Sequence, residues 1–348
     1  MCIVLFTTAH PDYALIVIDN RDEFILRPTS RPSWWTHPTS GRQVLAARDL
    51  QRTEKGTWFG ITRTGLLAVL TNYREANVHD AAHPIHGVKS RGGMVNAWLG
   101  GLANESVQAG VHQLVVDAGV QGVGGFSMLG AKLRRKGGAI AVVSNRAKHP
   151  DDVPLVARNR NETWGLSNTV FDDPHVWPKV ENGKRLLDQV VTDAVKKQSG
   201  QDDLVRDLFS LLDTDTLPEQ RGDRGVEHQI RHLKHTIFVP LIGDEKHEKA
   251  MQEAVAKGRV DWTDMNGDTR AVEELMAEQR PEGRASLESA AAFETGMYGT
   301  QRQTVLLVDL EGNVTFVERA LWDGNGNKIP QGDGDVVFRF KIDGWDDE

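Results

Sequence analysis

The first 23 residues constrain the fold of this chain more than any other stretch. Two apolar runs rich in β-branched residues, 3–6 and 13–18, flank a short polar break that contains His10 and Pro11. This pattern predicts two antiparallel strands joined by a turn. A turn near residues 10 and 11 would pair positions whose numbers sum to about 21. Cys2 is then expected to lie opposite Asp19, beside the charged residues that follow the second strand.

Cys2 is the only cysteine of the chain and becomes the amino terminus if Met1 is removed. Its side chain is small, so an aminopeptidase could remove Met1. The free α-amine, with an ordinary pKa of about 8, could then accept the thiol proton and activate Cys2 as a nucleophile. The alternative is that Cys2 is a small buried apolar residue at the start of the first strand. The residues alone leave both interpretations open.

A series of short blocks follows in order along the chain: Met1-Cys2-Ile3, Asn20-Arg21-Asp22-Glu23-Phe24, Arg27-Pro28, Gly56-Thr57-Trp58-Phe59-Gly60-Ile61, Leu70-Thr71-Asn72-Tyr73-Arg74, Ser90-Arg91-Gly92, Gly125-Phe126, Gly165-Leu166-Ser167-Asn168, Trp177-Pro178-Lys179-Val180, Gly183-Lys184, Tyr298-Gly299-Thr300 and Thr304-Val305. These blocks resemble the NRDE family, also called the transport and Golgi organisation protein 2 family. The family is similar in fold pattern to choloylglycine hydrolases and penicillin V acylases, which are N-terminal nucleophile hydrolases. The resemblance therefore implies an α+β fold, a four-layer αββα sandwich with mostly antiparallel sheets, formed by residues 1–348 as one domain.

The order of the predicted elements also favours antiparallel sheets, because paired strands outnumber strand-helix-strand units. Hairpins are predicted at residues 58–71 and 304–318, and helices at 177–195 and 204–212. Residues 28–38, which contain Trp34 and Trp35, are expected to form a loop. Residues 243–295 are charged and rich in alanine, with a helix expected at 272–278. We interpret this segment as an insertion or flexible excursion.

Two apolar strands end in a hydroxyl residue followed by asparagine, at Asn72 and Asn168. Asparagine at a strand end usually serves a turn, but its amide can also donate to a developing oxyanion. The resemblance to choloylglycine hydrolases implies this second role for both residues. It also implies that Asp22 orients the terminal amine and that Arg302 is a late active-site arginine. The same blocks provide the candidate substrate- or ligand-binding residues Asn20, Arg21, Tyr73 and Arg91.

The chain departs from choloylglycine hydrolases at one position near the nucleophile. Those enzymes have an arginine three residues before the aspartate, where this chain has Asp19. An arginine near the thiol would lower its pKa, whereas Asp19 would raise it. Arg21 is directly adjacent to Asp22, and the alternation of a strand predicts that their side chains lie on opposite faces.

Composition excludes several classes of function. The net charge of −8 argues against a nucleic-acid partner. No apolar run approaches 18 residues, so we expect no transmembrane segment. No secretory leader is evident, so we expect the chain in the cytoplasm. Two groups of histidines, at residues 79–86 and 228–235, are interpreted as surface or packed residues. No metal-binding motif accompanies them, so no metal site is predicted.

Two functions remain. The first is a binding or trafficking protein that keeps the fold and its pocket without turnover. For it the resemblance implies roles in secretion and Golgi organisation, a small-molecule or lipid-like ligand (acyl-lipid or haem), and Golgi or mitochondrial association. The alternative is an amidohydrolase with Cys2 as its N-terminal nucleophile. We rank the binding function first because Asp19 bears directly on the nucleophile, while the oligomeric state is left open.

Overall fold

The computed structural model describes residues 1–52, 54–72, 90–101, 106–120, 122–171, 173–217, 232–258 and 296–347. The strands are β1 (Ile3–Thr7), β2 (Tyr13–Phe24), β3 (Ser33–Thr36), β4 (Gln43–Ala46), β5 (Phe59–Thr62), β6 (Leu66–Asn72), β7 (Phe126–Lys132), β8 (Ile140–Ser144), β9 (Leu155–Val156), β10 (Thr163–Leu166), β11 (Tyr298–Asp309), β12 (Asn313–Ala320) and β13 (Asp335–Lys341). The helices are α1 (Arg91–Leu99), α2 (Val107–His112), α3 (Pro178–Lys197), α4 (Gln201–Leu212) and α5 (Glu245–Lys257); a π-helical turn, Gln113–Ala118, extends α2, and a 3₁₀ turn covers Pro150–Asp152.

The strands form two antiparallel sheets. The first sheet has the order β10-β1-β2-β11-β12-β13, and the second runs in sequence order from β3 to β9. In the first sheet, β2 pairs along most of its length with β11, which lies near the other end of the chain. The hairpins predicted at residues 58–71 and 304–318 are confirmed as β5–β6 and β11–β12.

Each sheet packs against the other sheet on one face and against helices on the opposite face, which gives four layers. Side chains that alternate along β1 and β2, such as Phe6 and Val17, pack against residues of the second sheet such as Phe59. The opposite face of the first sheet packs against α3 and α4, and the outer face of the second sheet packs against α1 and α2. The expected four-layer αββα sandwich is thereby confirmed.

The register of the first hairpin corrects the expectation from sequence. Ile3 pairs with Asn20, so paired positions sum to 23 rather than 21. The connection spans residues 8–12 and is longer than a tight turn at residues 10 and 11. Continuing the register by one pair places Cys2 opposite Arg21, not opposite Asp19.

Two glycines let α3 approach β1 closely. A Cβ atom at Gly183 would lie 2.7 Å from Cδ1 of Leu5, and one at Gly165 would lie 2.8 Å from Cδ2 of the same leucine. Leu5 is fully buried and has little room to move. The absence of side chains at these two positions therefore brings the first turn of α3 beside the start of β1.

Other expectations have mixed outcomes. Trp34 and Trp35 lie in strand β3 rather than in a loop, because they pair with Leu45 and Val44 of β4. The segment 243–295 begins with α5, whose Met251 is buried against Ile25 and Leu26. The helix expected at 272–278 lies outside the described residues, and the assignment of the whole segment as an insertion stays a prediction.

Candidate active site around Cys2

The amino terminus is held by a buried carboxylate. The Met1 amine lies 2.9 Å from Oδ2 of Asp22, whose side chain is fully buried. The other carboxylate oxygen of Asp22 accepts a hydrogen bond from Thr300 Oγ1 at 2.7 Å. The amine also donates to the hydroxyl of Tyr298, which in turn donates to the backbone carbonyl of Asp22. These contacts fix both the position and the orientation of the chain start.

The electrostatic surroundings of this amine act in opposite directions. Burial lowers the pKa of the Met1 amine most strongly, and the positive charge of Lys179 lowers it further. The negative charge of Asp22 raises the pKa of the same amine. Asp22 and Lys179 therefore oppose each other in setting the charge of the chain start.

The thiol of Cys2 is buried, with 2 % of the residue exposed. Its Sγ lies 3.6 Å from the backbone carbonyl oxygen of Asp22. Burial, followed by the negative charge of Asp22, raises the pKa of the Cys2 thiol to about 12, and Asp19 adds to this increase. While Met1 is present, the thiol is therefore protonated at neutral pH and is a weak nucleophile.

Hydroxyl groups join the strand ends that carry the two predicted asparagines. Thr71 Oγ1 donates to the carbonyl of Ser167 at 2.8 Å, which links the end of β6 to the residue after β10. Ser167 Oγ donates to the carbonyl of Cys2 at 2.7 Å and to Oδ1 of Asn168 at 3.3 Å. In the described part of the chain, the buried Oδ1 of Asn72 has no hydrogen-bond partner. Asn72, Asn168 and Cys2 thus belong to adjoining segments where the two sheets meet.

The alternation predicted for β2 is present. Asn20 faces the helical layer, where its Nδ2 donates to the carbonyls of Leu212 at 2.8 Å and Ile237 at 3.0 Å. These contacts connect β2 to the end of α4. They give Asn20 a clear structural role, and its predicted role in ligand binding stays a prediction.

Arg21 and Arg302 face a small polar cavity between the sheets. Arg21 donates to Gln301 Oε1 at 2.9 Å, and its guanidinium lies 4.6 Å from the ring centre of Trp58. Arg302 donates to the carbonyl of Trp322 at 2.7 Å and lies 3.9 Å from a carboxylate oxygen of Glu318. The wall of this cavity is formed by Asp19, Arg21, Ala47, Trp58, Phe59, Arg302, Thr304, Phe316 and Glu318.

Arg91 begins α1 and lies within electrostatic range of the thiol. Its Nη1 donates weakly to the carbonyl of Gly125, at 3.5 Å. Burial lowers the pKa of Arg91 to about 10, Glu23 and Cys2 raise it, and Arg27 is among the cations that lower it. The other predicted ligand residue of this region, Tyr73, lies outside the described residues.

Lys179 is a residue near Cys2 to which sequence reasoning assigned no role. It is fully buried, and its Nζ donates to the carbonyls of Met1 at 2.5 Å and Cys2 at 3.4 Å. Burial lowers the pKa of Lys179 to about 8, while Asp22 and Cys2 raise it. Lys179 lies within one of the blocks that carry the family resemblance. A single lysine at the start of a helix, however, gives no sign of the partner it will meet.

The histidine groups do not form a metal site in the described part of the chain. There, no set of three histidine, cysteine, aspartate or glutamate side chains is arranged to hold a metal ion. His232 and His235 lie in a turn rather than on a helix, and residues 79–86 and 228 lie outside the described ranges. Among the helices that the structure describes, none is both long and apolar enough to span a bilayer.

The αββα sandwich, with a cysteine held beside the chain start where the two sheets meet, defines a protein with the fold of the N-terminal nucleophile hydrolases. Residues 1–323 match the family described as Transport and Golgi organisation 2, and the chain belongs to this family. It is 27% identical over 328 residues to the Transport and Golgi organization protein 2 homolog of Bos taurus, covering 92% of this chain and 93% of the relative. It is 26% identical over 334 residues to the homolog of Homo sapiens, covering 93% and 94%.

The similar solved structures have lower identity to this chain. Penicillin V acylase from Agrobacterium tumefaciens matches 97% of this chain and 86% of its own, with 13% identity and a TM-score of 0.33. The C2A mutant of conjugated bile acid hydrolase from Clostridium perfringens matches 99% and 97%, with 14% identity and a TM-score of 0.32.

Proposed function

We propose that this chain is an N-terminal cysteine hydrolase that cleaves the C–N bond of a small acyl amide after Met1 has been removed. The observation that carries the proposal is the buried carboxylate of Asp22, which lies 2.9 Å from the Met1 amine, while the backbone carbonyl oxygen of the same residue lies 3.6 Å from Cys2 Sγ. A buried carboxylate is costly unless it is paired. A side chain that needs only to pack beside Cys2 would not require this pairing, so the arrangement favours a site organised around the terminal amine.

The proposed reaction uses the α-amine that removal of Met1 would create on Cys2. This amine takes the proton from Sγ, and the sulfur electron pair attacks the acyl carbon of the substrate. The resulting oxyanion receives hydrogen bonds from the amides of Asn72 and Asn168. The C–N bond then breaks, the leaving amine takes the proton from the α-amine, and water hydrolyses the thioester to release the acid and the thiol.

This proposal reverses the order in which the sequence ranks the two functions, and the pKa of the thiol explains why. The value of about 12 applies to a chain whose amine belongs to Met1. Removal of Met1 moves the amine onto the residue that carries the thiol. In that position the amine can accept the thiol proton directly, which is how an N-terminal cysteine is activated.

The test compares two preparations made by cleaving a tag either before Met1 or before Cys2. Each is incubated with a thiol-reactive acyl probe and with a panel of acyl amides, and intact mass reports acylation. We expect acylation and amide turnover only in the chain that starts at Cys2. Cys2→Ala should abolish both, and Asn168→Ala should slow turnover by about 100-fold, the usual effect of losing one oxyanion donor.

Turnover that persists in Cys2→Ala would refute the proposal. So would a Cys2-starting chain that is folded, is acylated by the probe and turns over no amide. Asn182→Ala serves as a matched control, because the amide oxygen of this half-buried residue accepts a hydrogen bond from Arg185 of the same helix, α3.

The second candidate is a ligand-binding protein without turnover that acts in secretion and Golgi organisation, as the names of the relatives suggest. It is favoured by Asp19, a negative charge that raises the pKa of the Cys2 thiol. The ligand would be haem or an acyl-lipid, held near Arg91. Under this function, Cys2→Ala should leave ligand affinity unchanged and no acyl-enzyme should form with any amide or thioester.

A further inference from the structure

Lys179 occupies a position that is unfavourable for a cation in three respects. It is fully buried, with none of the residue exposed. It is the second residue of α3, where the positive end of the helix dipole opposes a positive charge. Among the described residues its ammonium makes no ion pair with a carboxylate, and its hydrogen bonds go to the carbonyls of Met1 and Cys2. The ring centre of Trp177 lies 5.7 Å from its Nζ.

A methionine would fill this volume without the cost of burying a charge. The packing of α3 against β1 therefore does not account for a lysine here. What the lysine adds is a positive charge and hydrogen bonds directed at the first two carbonyl groups of the chain. Both contacts lie on the backbone that carries the nucleophile.

The same geometry locates the α-amine of a chain that starts at Cys2. The nitrogen of Cys2 belongs to the peptide plane of the Met1 carbonyl and lies roughly 2.3 Å from its oxygen. Because Lys179 Nζ is 2.5 Å from that oxygen, it lies within about 5 Å of the Cys2 nitrogen. At this separation in a buried site, two positive charges repel each other strongly.

We propose that Lys179 is a positioning residue that keeps the α-amine of the mature chain neutral and able to accept the thiol proton. The inference rests on the proposed function, in which that amine is the base. Asp22 alone would hold the amine as an ammonium, which cannot accept a proton. Lys179 opposes Asp22 while also fixing the Cys2 carbonyl, so that the amine stays bound in place and becomes available as a base.

The groups that face the amine come from three elements. In the chain that carries Met1, Asp22 of β2 attracts the positive amine, Tyr298 of β11 accepts its hydrogen bond, and Lys179 of α3 repels its charge. The inference is that the amine of Cys2, one residue further along, meets the same three groups. Among the described residues, the thiol of Cys2 also acts on the Met1 amine, and Glu23 and Arg91 act on Tyr298. The residue that follows β10, Ser167, is uncharged. A neutral substitution of Asp22 should therefore lower the pKa of the amine, and a neutral substitution of Lys179 should raise it.

The experiment measures the amine itself. Full-length chains that begin at residue 2 and carry Cys2→Ala, which removes the competing thiol, are labelled with trace acetic anhydride between pH 6 and 9. Mass spectrometry of the N-terminal peptide gives the labelling rate, which follows the neutral fraction of the amine. At pH 7 we expect Lys179→Met to be labelled about tenfold more slowly and Asp22→Asn to be labelled faster. Lys179→Arg, which keeps the charge, should restore most of the rate.

An unchanged rate in Lys179→Met would overturn the inference, as would a rate that falls equally in Lys179→Arg. Lys179→Gln provides a second neutral variant should the methionine variant fail to fold. The readout needs no turnover, so the two proposals fail separately. If Lys179→Met lowers the labelling rate of the amine but the wild-type chain hydrolyses no amide, only the hydrolase proposal is refuted. If the wild-type chain hydrolyses amides but Lys179→Met leaves the labelling rate unchanged, only the role of Lys179 is refuted.

Discussion

Replacing Lys179 by methionine should change how the stability of the protein depends on pH. The side chain is fully buried, and burial lowers the pKa of Lys179 from 10.5 to about 8 in the folded chain that carries Met1. Between these two values the unfolded chain keeps the proton and the folded chain releases it. Because the unfolded state binds more protons in this range, the free energy of unfolding rises with pH.

The size of the effect follows from the same two values. The complete difference corresponds to about 3 kcal/mol, reached only above pH 10.5. Between pH 7 and pH 10 the wild type should gain about 2.5 kcal/mol of unfolding free energy relative to Lys179→Met. At pH 7 the burial penalty is fully present in the wild type, so the methionine variant should be the more stable protein under that condition.

The assay is urea unfolding of both proteins, with Met1 retained, at half-unit intervals from pH 7 to pH 10. Subtracting the free energies of unfolding of the two proteins at each pH removes the contributions of groups that titrate alike in both. Lys196→Met is the matched control, because Lys196 is an exposed residue of the same helix. Its difference from the wild type should stay constant with pH. A constant difference for Lys179→Met as well would refute the reasoning, because it would mean that Lys179 is not buried as a titrating group.

Three further predictions concern the same region. In the chain that carries Met1, iodoacetamide should modify Cys2 about a thousandfold more slowly than it modifies a free cysteine, because raising the thiol pKa from 9.0 to about 12 leaves about a thousandfold less thiolate. Intact mass at pH 7.5 measures the rate. Modification at the rate of a free cysteine would contradict the burial of the thiol. Gly183→Val should lower stability by about 2 kcal/mol, since its Cβ would lie 2.7 Å from Cδ1 of Leu5. The control in urea unfolding is Gly200→Ala, because a Cβ at residue 200 meets nothing within 4 Å. If both substitutions changed the free energy of unfolding equally, α3 could not lie this close to β1. Thr71→Val should lower the free energy of unfolding by about 1 kcal/mol, because it removes the hydrogen bond to the Ser167 carbonyl. A stability equal to that of the wild type would contradict this prediction.

The sequence predicted those features that depend on neighbours along the chain. Alternating apolar runs define the hairpins of residues 58–71 and 304–318, and the same alternation separates Arg21 from Asp22. The blocks that resemble the family led to the αββα sandwich, and they singled out Cys2 and Asp22, whose catalytic roles stay predictions. Each of these follows from a local periodicity or from a motif whose residues stand close together in sequence.

The register of the first hairpin was beyond local reasoning. The polar break shows that the chain turns, but it does not fix how many residues the connection uses. The observed pairing of Ile3 with Asn20 shifts the partner of Cys2 by two residues. In a sheet with a period of two, such a shift preserves the face of every side chain. The predicted alternation was therefore right although the predicted partner was wrong.

Lys179 shows what the tertiary structure alone decided. The sequence places it 177 residues after Cys2, in a helix whose only visible pattern is an apolar face. Its position beside the first two carbonyl groups depends on the close packing of α3 on β1, which the missing side chains of Gly165 and Gly183 allow. The sequence determined the strands and singled out Cys2, whereas the charge around Cys2 was set by contacts between distant segments, which no local pattern encodes.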